Sequence, residues 1–377
     1  MIPDRSKIEN FFGQHEFDVD YVACASDVDG CSLRELLDLA DEESLALWEG
    51  LELGYTETTG HPLLREAIAG EYTKTGPDNV TVCGGGAAEA LFLLTNALLG
   101  PGDHAVVVAP AFESVHRIGP ALGASVTPVP LDPGQGWRLD LDAVRRALRP
   151  ATRAVFVNFP HNPTGALPTR AEFEDLLALG AEAGVVVVSD EVYRHLEFDP
   201  ETTLPAACDL DERAVSVGVM SKAYGLAGLR VGWLATRNQA LVDAARAVKD
   251  YTTVCASAPS EILSLIALRA REHLVARSRR IIRENLTHVE SFFGQHADAF
   301  AWEPPRAGML GFPQLLLPVP VEDFVRELAR EQSVLLLPDS VFDMADNRFR
   351  IGLGRTSLPD ALDRIGEFVG HRVGSLA

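Results

Sequence analysis

Short runs of apolar, β-branched residues alternate with helix-length amphipathic stretches through the middle of the chain. His104–Ala109, Ser125–Val129, Arg153–Asn158, Val185–Ser189, Ala214–Val219 and Val231–Ala235 read as buried strands. Leu139–Leu148 and Arg170–Ala183 lie between them with helical periodicity. Strands of this kind separated by helices predict an open, mostly parallel α/β sheet. Helical patterns dominate from about Asn238 to Gln295, one long stretch opening at Ser257-Ala258-Pro259-Ser260. From Phe300 to Ala377 the pattern changes again. Strands are expected at Met309–Leu317, Val334–Leu337 and Phe349–Leu353, together with two amphipathic helices, which predicts a smaller α+β domain.

The expected organisation is an N-terminal segment over residues 1–45, a large domain over 46–275 and a small domain over 276–377. No low-complexity linker, long charge run or repeat separates them, so the domains should pack tightly. The N-terminal segment holds an expected helix at Leu33–Ala40 and is expected to pack on the small domain or on a partner subunit.

Composition narrows the function. Hydrophobic residues make up 47% and charged residues 23% of the 377, the balance of an ordinary globular protein. Lys and Arg total 33 against 54 Asp and Glu, a net charge of −21 that argues against nucleic-acid and membrane-surface roles. A local cationic pocket for a small substrate can still sit inside such a shell. No apolar run approaches the roughly 20 residues of a spanning helix, and Met1–Arg5 lacks the basic and apolar regions of a signal peptide. The five cysteines form no C-x-x-C or zinc spacing, and no H-E-x-x-H occurs. Free thiols, a cytoplasmic location and no metal are expected.

Four segments carry chemistry. Val82-Cys83-Gly84-Gly85-Gly86-Ala87-Ala88-Glu89 runs from glycines into a good helix former, and a helix start of small residues presents free N–H groups to a phosphate. Read alone, it is equally a tight strand-to-helix turn. Asn158-Phe159-Pro160-His161-Asn162-Pro163-Thr164-Gly165 is a rigid turn directly after a buried strand, where parallel sheets bind ligands. Ser189-Asp190-Glu191-Val192-Tyr193 puts two acids at the end of an apolar strand, where a buried carboxylate needs a strong partner. Met220-Ser221-Lys222-Ala223-Tyr224-Gly225-Leu226-Ala227-Gly228-Leu229-Arg230 places a lysine in a glycine-rich loop with an arginine eight residues on. A desolvated lysine loses its proton and attacks carbonyls, so Lys222 is a Schiff-base candidate.

In order and spacing, the four segments together resemble the fold-type I pyridoxal-phosphate enzymes of the class I/II aminotransferase family, from about Tyr55 to Arg350. The resemblance implies a seven-stranded, mostly parallel sheet and a pyridoxal 5'-phosphate cofactor. It implies that Lys222 holds the cofactor and shuttles the proton at Cα, and that Asp190 pairs with the ring nitrogen. Tyr193 and Asn162 match the positions that bind the phenolic oxygen, Asn162 lying also on the substrate side. Gly86, Ala87, Ala88, Ser221 and Arg230 match the phosphate site, and Phe112 the aromatic stacked on the ring. Tyr55 resembles a tyrosine that reaches the phosphate of a neighbouring subunit, which implies a homodimer. Arg350 resembles the arginine that grips the α-carboxylate of an amino acid, while Arg348 shares its face and is a structural alternative. Val219 departs from the pattern, because a Ser or Thr usually stands three residues before the lysine.

The resemblance implies transamination as the main reaction. A finer similarity to capreomycidine synthase-type enzymes implies β/γ-elimination and replacement with ring closure on an arginine derivative as the alternative. The segment Ala25-Ser26-Asp27-Val28-Asp29-Gly30-Cys31 departs from the common pattern where substrate side chains are read. Gly30 is taken as a substrate-side candidate, and the acids either select a cationic side chain or lie in a solvated loop. A cofactor-binding sensor fused to a DNA reader is disfavoured, since residues 1–50 are too short and too acidic for one. A dinucleotide oxidoreductase lacks its fingerprint.

Overall fold

The computed structural model describes residues 4–376; Met1–Pro3, part of the start read for a signal peptide, and Ala377 lie outside the described residues. Seven strands form the large sheet. Their order is Val80–Cys83, Gly232–Ala235, Val215–Val219, Val186–Asp190, Thr152–Asn158, His104–Ala109 and Ser125–Pro130. Only Gly232–Ala235 runs antiparallel to its neighbours. Val80–Cys83 is the strand the hydrophobic pattern did not announce. It is four residues long and ends in the glycine run that draws the eye as a turn.

The two faces of this sheet bury different side chains, as the period of two requires. Val106, Val108, Val155, Val157 and Val187 pack with Phe173, Leu176 and Leu177 of the helix Arg170–Ala183. Ala105, Val107, Phe156, Val188, Val215 and Val217 pack on the other side with Leu91 and Leu94 of the helix Ala87–Leu98 and with Leu241 and Ala245 of Gln239–Lys249. The helix Arg170–Ala183 starts where a capping box is built, Thr169 and Glu172 satisfying each other's backbone N–H. It stops at Gly184 in the left-handed conformation.

The smaller domain is tied together by aromatic rings, with Phe300 meeting Phe293, Phe324 and Phe349 edge to face. Two strands expected here as single runs are each divided. Leu310–Gly311 pairs with Ile351–Gly352, whereas Gln314–Leu315 pairs with Phe300–Ala301, Pro313 with its missing N–H standing between them. Val334–Leu335 pairs in parallel with Tyr21–Val22, and Leu337–Pro338 with Phe349–Arg350. The helix Arg271–Gln295 runs through the boundary expected at 275/276.

The N-terminal segment is held by both parts of the chain. The helix Lys7–His15 begins at Ser6, whose hydroxyl donates to the buried Glu113 carboxylate at 2.6 Å, and the Ile8 N–H donates to the same oxygen at 3.1 Å. Lys7 pairs with Asp343 of the smaller domain. The expected helix Leu33–Ala40 is realised as Leu33–Leu37, again with a capping box at Ser32 and Glu35.

Candidate active site

Four of the strands deliver chemistry at one edge of the sheet. Asn158 and Asp190 end adjacent parallel strands and stand in register. The Asn158 amide donates to the Asp190 carbonyl at 2.9 Å, and its Oδ1 accepts the Asn162 N–H at 2.8 Å, so the rigid turn is fastened to the next strand. Lys222 follows the strand Val215–Val219, and the glycine run follows Val80–Cys83. A cavity of about 410 Å³ lies over these ends. It is lined by Ala87, Ala88, Phe112, Asn162, Asp190, Tyr193, Ser221, Lys222, Arg230 and Arg350, ten of the expected site residues.

The groups are electrostatically prepared. Burial pushes the Lys222 amine down to about 8, against opposition from Asp27, and its Nζ donates to Ser26 Oγ at 2.8 Å. Burial raises the Asp190 carboxyl to about 7, although the Val192 N–H and Lys222 partly offset it. Tyr193 sits with its ring 5.7 Å from the Lys222 ammonium, and its hydroxyl donates to the Ser26 carbonyl at 3.4 Å. Arg350 is 2% exposed. Its Nε and Nη2 donate to the Cys24 carbonyl at 3.1 and 2.9 Å, and Nη1 to Asn162 Oδ1 at 3.1 Å. Arg348 does something else: it donates to the Phe312 carbonyl and lies 5.0 Å over the Trp137 ring, away from the cavity lining.

The expected phosphate site has a distinct local cause. Gly86 is in the left-handed region, with φ 75°, and caps the helix Ala87–Leu98 with no side-chain hydrogen bond, leaving the first N–H groups free. Arg230, itself at φ 55°, reaches back to donate to the Gly85 carbonyl at 3.2 Å. A Cβ on Gly86 would stand 3.2 Å from that guanidinium. Val219 also lines the cavity, so the loop supplies Ser221 but no second hydroxyl at that point.

The N-terminal segment contributes groups that the sequence left open, at Ala25–Asp27, or unassigned, before them. Ile8, Glu9, Phe12, Glu16, Ala25, Ser26 and Asp27 line the same cavity. Gly352 and Gly354 allow this: a Cβ on either would meet the carbonyls of Ala25 and Asp27 at 2.0 and 2.1 Å. The pattern Gly352-Leu353-Gly354 beside Arg350 was the available signal. Arg355 then pairs with Asp27 at 2.9 Å and Asp29 at 3.1 Å. Asp29 also accepts from the Thr356 N–H and hydroxyl, so it is structural rather than part of a solvated loop. Gly30 stands outside the cavity lining, its carbonyl accepting from Arg277. Tyr55 is 95% exposed and also outside it.

An uncapped helix start beside an arginine, a half-buried carboxyl and a desolvated lysine in one cavity fit a phosphorylated, nitrogen-containing carbonyl cofactor. Comparison with known proteins agrees. Residues 27–365 match the family described as Aminotransferase class I and II. The chain belongs to that family and is a pyridoxal-phosphate-dependent enzyme acting on the α-amino group of an amino acid. Capreomycidine synthase of Streptomyces vinaceus is 36% identical over 313 residues, 82% of this chain and 79% of that protein. A PLP-dependent aminotransferase from Streptococcus suis 89-1591 superposes with a TM-score of 0.92 at 28% identity, covering 98% of this chain and 99% of that one. The PLP-dependent cyclase OrfR does so with a TM-score of 0.89 at 29% identity, covering 99% and 98%.

Proposed function

We propose that the protein is a homodimeric, cytoplasmic aminotransferase for an amino acid whose side chain carries positive charge. The observation that carries the substrate class is the cavity wall. Glu9, Glu16 and Asp27 line the same space as Lys222 and Arg350. Among the described residues no ion pair closes on the Glu16 carboxylate, whose pKa is raised by burial and then by repulsion from Asp27 and Glu9, which Arg355, itself paired with Asp27, only partly offsets. A cation placed there relieves that repulsion.

Bound at this site, pyridoxal phosphate supplies a ring that withdraws electrons from the substrate Cα. The protein's own groups do the rest. The uncapped N–H groups at Ala87 and Ala88, Ser221 and Arg230 hold the phosphate. Asp190 would hold a proton at the ring nitrogen, and Phe112 would pack on the ring. Asn162 and Tyr193 fix the phenolic oxygen. Lys222, neutral at a pH only modestly above its shifted value, would hold the cofactor and then take and return the Cα proton. Arg350, locked by Cys24 and Asn162, offers its remaining N–H groups to the α-carboxylate. Tyr55, exposed in one chain, serves the phosphate of a second copy. Five free cysteines support a reducing compartment.

Elimination with ring closure is the second reading, favoured by the similarity to capreomycidine synthase and to the cyclase OrfR. Purified enzyme incubated with a panel of basic amino acids, with and without a β-hydroxyl and with and without a 2-oxo acid, separates the two. Transamination requires the 2-oxo acid in stoichiometric amount and returns its amino derivative. Product formation without any acceptor, with loss of a β-substituent, establishes the second reading instead.

A further inference from the structure

Lys249 is fully buried at the end of the helix Gln239–Lys249. Among the described residues no carboxylate forms an ion pair with it. Its Nζ donates to two backbone carbonyls, that of Thr58 at 2.8 Å and that of Val254 at 2.7 Å. Those carbonyls belong to separate loops, and each loop carries an exposed tyrosine, Tyr55 at 95% and Tyr251 at 92%. A buried ammonium is costly and is retained only where its N–H groups are needed. Here one side chain supplies donors to both loops at once.

The same junction reaches this chain's own phosphate site. Glu89 accepts from the Thr252 and Thr253 hydroxyls at 2.8 and 2.6 Å and from the Gly85 N–H at 2.7 Å. On the other side, Glu261 accepts the His61 N–H at 3.1 Å, closing the far end of the loop that bears Tyr55. Thus the Tyr55 loop is anchored to the turn that also braces the glycine run, while Tyr55 itself projects free of the chain. A loop shaped in advance loses less conformational entropy when it docks.

We propose that Lys249 is a positioning residue of a composite cofactor site: it holds the Tyr55 loop ready to complete the phosphate site of a second copy of this chain. The proposal rests on the homodimer reading above. Its signature is a defect that acts in trans, which a merely structural role does not give.

The test measures pyridoxal phosphate affinity of the cofactor-free protein for Lys249→Met, Tyr55→Phe and the double variant. Each single change is expected to weaken binding about tenfold, and the double variant no further, since both act through one contact. Lys249→Arg, which keeps the charge and donors, recovers most of the affinity. If the Met variant does not fold, Lys249→Gln replaces it in the same scheme. Mixed dimers of Lys249→Met with Lys222→Ala subunits are expected to regain one good site, because the Lys222→Ala subunit supplies an intact Tyr55 loop. Unchanged affinity in Lys249→Met, additive losses, or no regain despite proven subunit exchange overturn the role of Lys249. Unchanged affinity in Tyr55→Phe overturns the composite site itself.

Discussion

The strand-end loops of the large sheet and the N-terminal segment line one cavity, but they get there by different physics. Asn158, Asp190 and Lys222 are placed by strands already paired in a parallel ladder, so each side chain follows from a few local residues. Ser26 and Asp27 are placed by contacts that cross the whole chain: the Cys24 carbonyl on Arg350, Arg355 on Asp27, and the glycines 352 and 354 beneath them. On the function proposed above, the first region holds the groups that any reaction at Cα requires. On the same reading, the second holds the groups that distinguish one side chain from another. Rate should therefore fail when the sheet edge is altered, and selectivity when the N-terminal segment is.

The largest expected effect is Lys222→Ala, which removes both the attachment point and the base and lowers turnover by roughly four orders of magnitude. Borohydride reduction and peptide mapping of the wild type should place the cofactor on Lys222. Asp190→Asn comes next, with Cα–H removal slowed by about two to three orders of magnitude while the cofactor stays bound. The same variant has a second readout. The Asp190 carboxyl is raised to about 7 in the folded chain from its ordinary 3.8. A group raised in this way favours folding while protonated and loses that contribution as pH rises between the two values. Unfolding of the cofactor-free proteins should show the wild type losing stability relative to Asp190→Asn across that window.

Arg350→Met is expected to raise KM about a hundredfold, because a buried charge-assisted pair to the α-carboxylate is lost. Arg348→Met, two residues away on the same strand, should leave KM unchanged. That contrast separates the two arginines, which the strand period alone left on one face. The smallest effect belongs to the N-terminal wall. Glu16→Gln or Asp27→Asn should lower kcat/KM for a cationic amino acid about tenfold and leave neutral ones nearly unaffected.

The sheet edge was legible because its signals are short. An apolar run, then Asp190, or an apolar run, then Lys222 in glycines, states its own placement. The division of Met309–Leu317 was not legible, since Pro313 marks a break without saying which strand each half joins. The cavity role of Glu9 and Glu16 left no local trace either. Both sit on or just after an amphipathic helix whose acids look like an ordinary solvated face, and only the docking of that helix against Glu113 and Asp343 brings them to the cavity, Glu9 at its exposed rim. Between the two extremes lies Asp27, visible as an acid in an unusual segment. Arg355 pairs with both acids, and Asp27 separates from Asp29 only once the Thr356 N–H and hydroxyl are seen to hold Asp29 while Asp27 lines the cavity.

Selection of a cationic side chain by the N-terminal wall can be read on a step common to transamination and elimination. Exchange of the Cα proton with solvent deuterium can be followed by NMR for L-arginine and for L-citrulline, which has nearly the same shape but no charge. The account predicts exchange of L-arginine faster by at least about tenfold at equal subsaturating concentration, a ratio that falls towards one in Glu16→Gln. Equal exchange of the two amino acids in the wild type, or faster exchange of L-citrulline, would contradict it.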